Sequence, residues 1–107
     1  MSEQKKTRRQ MLEEFLAKKP DDAFSRYGLA LDYVNSGETA AADGHFKLLL
    51  ETNPHYIPAY LMYAQMLAKE SRAADAKKVL AAGISAAGKA GNQHARSEME
   101  ALLAELG

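Results

Sequence analysis

The chain has 107 residues, 14 basic and 14 acidic side chains, and no cysteine. A chain of this length is one domain by the usual prior and needs no disulfide or metal to fold, and the lack of cysteine excludes disulfides, thiolate zinc sites and a cysteine nucleophile. Because the charges balance, there is no general electrostatic reason to bind nucleic acid or an anionic membrane, and we expect neither partner.

A short basic cluster lies near the start of the chain. It consists of Lys5, Lys6, Arg8 and Arg9. The cluster has no aromatic partners, so a solvated tail and first helical turn explain it better than a nucleic-acid or membrane arm. No apolar run of signal-peptide length follows it, and none approaches the roughly 18 residues of a membrane span. These features favour a soluble, cytoplasmic protein.

Prolines and glycines divide the chain into segments in which apolar residues recur at helical spacing. No segment alternates convincingly with the two-residue period of a strand, so the pattern predicts an all-α fold. The six predicted helices cover roughly 4–19, 21–36, 38–53, 56–70, 72–90 and 93–106. The short connections between them favour antiparallel helix hairpins.

The first two predicted helices have clear end signals. Ser2 or Thr7 can cap the first helix through its hydroxyl group. Asp21 and Asp22 open the second helix, where their carboxylates suit the positive end of the helix dipole. Gly37 follows its last turn, as glycine often does just past a helix end.

The later helices are bounded in the same way. Pro54 lacks an N–H group and ends the third helix, whereas Pro58 is tolerated in the first turn of the fourth. Ser71 is the predicted N-cap of the fifth helix, and Asn92 is the predicted N-cap of the sixth.

The two central hairpins repeat each other. When the chain is shifted by 34 residues they superpose without a gap. The matched pairs are Leu29 with Tyr63, Ala30 with Ala64, Tyr33 with Leu67, Ala42 with Ala76, Phe46 with Leu80, and Pro54 with Gly88. The alanines fall where two helices cross closely, and the large residues fill the space between hairpins. One hairpin cannot bury both of its faces, so the repeats must stack.

The same shift applied backwards places Leu12 and Phe15 on apolar positions of the third helix. The first helix therefore matches the second half of a repeat whose first half is missing. We divide the single domain into a half-repeat helix at 1–20, a first repeat at 21–55, a second repeat at 56–90 and a capping helix at 91–107. The apolar residues named so far are predicted to form the core of the solenoid.

The stretch from Ala23 to Gly88 resembles the tetratricopeptide-repeat (TPR) family, and the strings FSRYGLALDYVNSGETAAADGHF and NPHYIPAYLMYAQML are similar to those of small stand-alone bacterial TPR proteins. Arg26 departs from the pattern where the family prefers a large apolar residue, and Ser71 replaces the turn glycine. The resemblance implies a TPR-type α-solenoid that acts as a non-enzymatic adaptor or scaffold for protein binding.

In the family, the first helix of each repeat lines a concave groove that binds a peptide or a partner helix. Carried over by position, the expected partner-binding residues are Phe24, Tyr27, Leu31, Val34 and Asn35 on the second helix and Leu61, Met62, Gln65 and Lys69 on the fourth. The alternative is that Phe24 and Tyr27 simply pack against the first helix and the neighbouring hairpin. A TPR subgroup that grips a C-terminal carboxylate is excluded, because Tyr27, Leu31 and Met62 occupy its binding positions.

Nothing in the sequence supports catalysis, and we expect no catalytic residues, no cofactor and no metal. The segment from Gly83 to Ala90 resembles a phosphate-binding loop, but Ala90 has no hydroxyl for Mg²⁺ and no strand precedes the segment. Gly83 is better explained by a close helix contact. The three histidines share no metal-ligand spacing, and His45 is expected to be solvated.

Two oligomeric states stay open at this point. A monomer that binds an unidentified partner protein is favoured. The alternative is a self-associating structural subunit, such as a homodimer, because two repeats are fewer than the three usually needed and the first helix lacks its mate.

Overall fold

The computed structural model describes residues 6–107. It has six α-helices and, within those residues, no strand. The helices are α1 (Arg8–Lys18), α2 (Ala23–Asn35), α3 (Thr39–Thr52), α4 (Ile57–Lys69), α5 (Ala73–Ala90) and α6 (Gln93–Leu106). The all-α prediction is therefore confirmed. No helix in the described part of the chain combines the length and the apolar composition needed to cross a membrane.

Helices that follow each other in the chain pack against each other. α2 lies against α3, α4 against α5, and α5 against α6, while α1 packs on α2. Contacts also join α2 to α4 and α4 to α6, so these three helices lie side by side. The described residues extend over 55 × 28 × 20 Å, the elongated outline of stacked hairpins.

The core runs along the stack between the helices. Its largest fully buried side chains are Phe46, Leu29, Leu49, Leu67, Leu80 and Met99. Each of them stabilises the fold by about 1.5–3 kcal/mol through removal of apolar surface from water. The repeated alanines Ala30, Ala42, Ala64 and Ala76 all have zero exposure. Their burial agrees with the prediction that small residues mark the close helix crossings.

Gly83 permits a close approach of α5 to its neighbours. A Cβ atom built at this position would lie 2.5 Å from the Met99 sulfur and 2.6 Å from the Cβ of Tyr60. Both distances are far below ordinary van der Waals contact. The predicted close helix contact at Gly83 is confirmed.

Two of the predicted helix caps, Thr7 and Asn92, are present. Thr7 accepts a hydrogen bond from the Gln10 amide in a capping box. Asp22, predicted only to suit the dipole of α2, is its N-cap and accepts a hydrogen bond from the Ser25 amide. Asn92 caps α6 by accepting from the Ala95 amide at 3.1 Å. The other candidate for α1, Ser2, lies outside the described residues.

The predicted cap at Ser71 is wrong. Ser71 adopts a φ of +61°, the left-handed region in which Gly37 has a φ of +78°. Because Ser71 makes the turn itself, Arg72 occupies the N-cap position of α5 and supplies no side-chain cap. Ser71 therefore replaces the turn glycine in conformation as well as in sequence.

The prediction that Phe15 of the first helix belongs to the core is also wrong. Leu16 is buried, but Phe15 is 43% exposed and Met11 is 53% exposed. The reason is that α1 packs against α2 alone. Its opposite side has no neighbouring helix within the described residues.

His45 is half-buried, not solvated as predicted. Its ring stacks on Tyr33 with centroids 5.5 Å apart, and its Nδ1 lies 3.1 Å from a guanidinium nitrogen of Arg26. Burial and the Arg26 charge lower the pKa of His45. Arg26, which stands where the family prefers a large apolar residue, instead makes polar contacts with His45 and with the Pro20 carbonyl.

Candidate partner-binding face

α2, α4 and α6 lie side by side and form one face of the molecule, which we call the inner face. A cavity of about 230 Å³ lies between these helices. It is lined by Tyr27 of α2, by Ile57, Pro58, Leu61 and Met62 of α4, and by Asn92, Ala95, Glu98 and Met99 of α6. Three of the nine residues predicted to bind a partner, Tyr27, Leu61 and Met62, are therefore brought together.

Phe24 is the most exposed large apolar side chain of the described residues, at 73%. It lies in the first turn of α2, one helical turn before Tyr27, so the two side chains share a side of the helix. The alternative that Phe24 packs against α1 or the neighbouring hairpin is wrong, because such packing would remove most of its surface from solvent.

Tyr27 does pack, in part, against the next hairpin. Its ring centroid lies 5.2 Å from that of Tyr56, which occupies the N-cap position of α4. Burial, with a smaller contribution from Tyr56, raises the pKa of Tyr27. The hydroxyl at the cavity is therefore neutral at physiological pH and can both donate and accept a hydrogen bond.

The other predicted residues divide into two groups. Leu31 and Val34 are half-buried and pack against the core, so they are less exposed than the sequence suggested. The exposed group contains Asn35, Gln65 and Lys69, and none of these lines the cavity. Of the predicted partner-binding residues, Tyr27, Leu61 and Met62 therefore line the apolar cavity, whereas the exposed polar residues lie outside it.

Comparison with known proteins gives the family. No family model matches the chain. A TPR repeat-containing protein of Pseudomonas aeruginosa is 28% identical over 95 residues, which are 89% of this chain and 90% of that protein. The solution structure of a tetratricopeptide repeat domain protein from Salinibacter ruber is 30% identical, has a TM-score of 0.77, and matches 81% of this chain and 88% of that one. The chain belongs to the tetratricopeptide-repeat family.

A third similar protein matches a larger share of this TPR protein. The solution structure of a protein from Bordetella parapertussis is 25% identical, with a TM-score of 0.81, over 95% of this chain and 89% of that one. The resemblance to small bacterial TPR proteins that the sequence predicted is confirmed.

The sequence reasoning missed the contribution of α6, which it treated only as a cap. Asn92, Ala95 and Glu98 line the cavity opposite α4. A signal was present, because a shift of 35 residues, one more than the repeat, places Tyr60 on Ala95 and Ala64 on Met99. α6 therefore stands where a further repeat of a TPR protein would place its first helix.

Two polar side chains at the cavity, Glu98 and Asn92, have partners within α6. Glu98 pairs with His94 at 2.9 Å, and Asn92 uses its side-chain oxygen as the cap of α6. The cavity can hold an apolar side chain of a bound segment, and its polar residues can orient a polar group next to that side chain by non-covalent contacts. Among residues 6–107, no three His, Asp or Glu side chains are placed to hold a metal ion.

Proposed function

We propose that this TPR protein is a non-enzymatic interaction module, an adaptor that binds a peptide or helix of a partner protein on its inner face. The observation that carries the proposal is the 73% exposure of Phe24 one helical turn from Tyr27, a residue that lines the inner cavity. Large exposed apolar side chains beside an apolar cavity are typical of contact surfaces.

The size of the inner cavity favours a peptide over a small molecule. Small-molecule sites usually enclose about 300–1,000 Å³. At about 230 Å³, the cavity suits one anchoring side chain of a partner instead. Burial of a leucine-sized anchor would contribute about 1.5–3 kcal/mol, with Phe24 covering the adjacent part of the bound segment.

The sequence supports further details of this proposal, namely the oligomeric state, the cellular location and the repeat bounds. We propose a monomer located in the cytoplasm that engages a partner protein of unknown identity, with repeats at 21–55 and 56–90 between a half-repeat helix and a cap. The apolar lining of the cavity supports a partner segment with at least one aliphatic or aromatic side chain.

The proposal is tested by affinity capture from the host lysate with matched variants. Phe24→Glu places a charge at the inner face, and Leu48→Glu makes the same change at an exposed position of α3, where Leu48 is 42% exposed. We expect a partner to be captured by the wild type and by Leu48→Glu but not by Phe24→Glu. If all three proteins capture the same partners, or none captures any, the inner face is not the binding surface.

Self-association is the second candidate, and the open side of α1 favours it. Met11 and Phe15 are 53% and 43% exposed on a helix that, among residues 6–107, contacts no helix other than α2. A second copy could cover them. Sedimentation velocity over a wide concentration range decides this point: a dimer that Phe15→Glu dissociates would establish it, and a monomer at every concentration would reject it.

A further inference from the structure

α3 and α5, both fully described, diverge on the side of the molecule opposite the inner face. No Cα atom of α3 lies within 8 Å of one in α5, although both helices pack on α4. Two adjoining cavities of about 340 Å³ and 490 Å³ occupy the gap, and Tyr60 and Ala82 line both of them. We call this continuous depression the outer cleft.

The outer cleft has an apolar floor and walls. Tyr60 closes the bottom of the cleft: it is 6% exposed, and its hydroxyl donates a hydrogen bond to the Pro54 carbonyl at 2.7 Å, so no unpaired polar atom of Tyr60 faces the cleft. Leu50 of α3 and Val79 of α5 form the two walls. Along α5 the cleft continues over Ala82 and further small side chains, which leave room for an occupant.

The rim of the outer cleft carries an excess of positive charge. Three lysines, Lys47, Lys78 and Lys89, line it, against one acid, Glu51. Lys47 is paired with Asp43 at 2.9 Å. Lys78 and Lys89 take part in none of the ion pairs formed within residues 6–107. The free charge of the rim is thus positive, although the whole chain is neutral.

We propose that the outer cleft docks an acidic amphipathic helix of a partner protein. Aliphatic side chains of that helix would lie over Tyr60, Val79 and Ala82, and its carboxylates would pair with Lys78 and Lys89. These two lysines are separated by about 16 Å along α5, which corresponds to about three turns of a bound helix. Apolar burial would supply affinity, and the complementary charges would fix the orientation.

The test uses a synthetic amidated helix of about 15 residues, long enough to span both lysines, with leucine on one face and glutamate on its flanks. Titrated into the ¹⁵N-labelled full chain, it is expected to cause saturable shift changes at Val79, Ala82 and Ala86. The variant Lys78→Glu, Lys89→Glu should weaken binding about tenfold, since two attractive ion pairs become repulsive. Both positions are exposed, so the fold should persist, which circular dichroism checks.

Two controls make the test specific. Lys18→Glu, Lys19→Glu reverses the same number of exposed charges on and beside α1, away from the cleft, and should leave the affinity unchanged. A helix with lysine in place of glutamate should bind at least tenfold more weakly. Equal binding of the two helices, no effect of the cleft reversal, shifts centred on Tyr27 and Leu61, or no saturable shifts up to about 1 mM peptide would each overturn the proposal.

Discussion

The Tyr63 hydroxyl of α4 donates a hydrogen bond to Oδ1 of Asp43 on α3 at 2.5 Å. The same carboxylate contacts Lys47 at 2.9 Å and Arg72 at 3.4 Å, so it ties the first hairpin to the second. Burial and the bond to Asp43 raise the pKa of Tyr63, which keeps its hydroxyl protonated as the donor. A buried polar link of this kind fixes the register of one TPR hairpin on the next.

Removal of the hydroxyl by Tyr63→Phe should lower the free energy of unfolding by about 1–2 kcal/mol, because a hydrogen bond to a charged acceptor is lost while Lys47 and Arg72 still compensate the carboxylate. Urea denaturation measures the change. Tyr56→Phe is the matched control, since the Tyr56 hydroxyl makes no hydrogen bond within the described residues. Equal losses in both variants would contradict a specific role for the link to Asp43.

The same link predicts a loss of stability in acid. Burial favours the neutral form of Asp43, but the hydrogen bonds from Tyr63 and Lys47 and the charges of Lys47 and Arg72 outweigh it and lower the pKa of Asp43 from its usual range. The stabilisation is therefore present above the unfolded-state pKa and lost as the pH falls through the folded-state pKa. Stability measured from pH 7 down to about pH 2 should fall less steeply for Asp43→Asn than for the wild type. Parallel pH profiles would refute this assignment.

Two glycines in helices should respond to alanine with opposite signs. Gly83→Ala places a methyl group 2.5 Å from the Met99 sulfur and should destabilise the protein by about 1–3 kcal/mol through overpacking. Gly44→Ala meets nothing within 4 Å on the exposed side of α3 and should stabilise it by about 0.5–1 kcal/mol. Thermal unfolding of both variants checks the pair, and a neutral Gly83→Ala would show that α5 and α6 do not approach as closely as described.

Arg9 holds the first helix on the second. Its guanidinium pairs with Asp32 at 2.7 Å and with Glu38 at 2.8 Å, and it lies 4.0 Å from the centre of the Tyr33 ring. Because no other helix in the described part of the chain contacts α1, Arg9→Ala should increase hydrogen exchange at the amides of α1 and leave α4–α6 protected. Lys19→Ala is the control, and unchanged exchange in α1 after Arg9→Ala would show that burial of Leu16 suffices.

The helical fold was predictable because its determinants are local and repeated. Alanines at Ala30 and Ala64 and the punctuation at Gly37 and Pro54 are visible in the sequence without any knowledge of contacts. The cap at Ser71 was not predictable in the same way. Serine is a good N-cap in general, and only the geometry of the turn shows that this residue takes the left-handed conformation instead.

The candidate site was predictable only in part, for a related reason. Positions on α2 and α4 follow from the family pattern, but their exposure depends on which neighbours are present. Leu31 is less exposed than predicted because it packs against the core. Phe15 is more exposed than predicted because, in the described residues, only α2 packs against α1. Glu98 was missed because α6 matches α4 only after one extra residue, so the sequence pattern indicated a cap and not a further repeat.

Photo-crosslinking in the host cell tests the central claim most directly. A benzoylphenylalanine introduced at Phe24 would report what contacts the inner face, and the same group at Leu48 would report background contacts of an exposed site on α3. Binding on the inner face predicts a discrete crosslinked partner protein at position 24 that is absent at position 48. The same products at both positions, or no product at position 24, would contradict it.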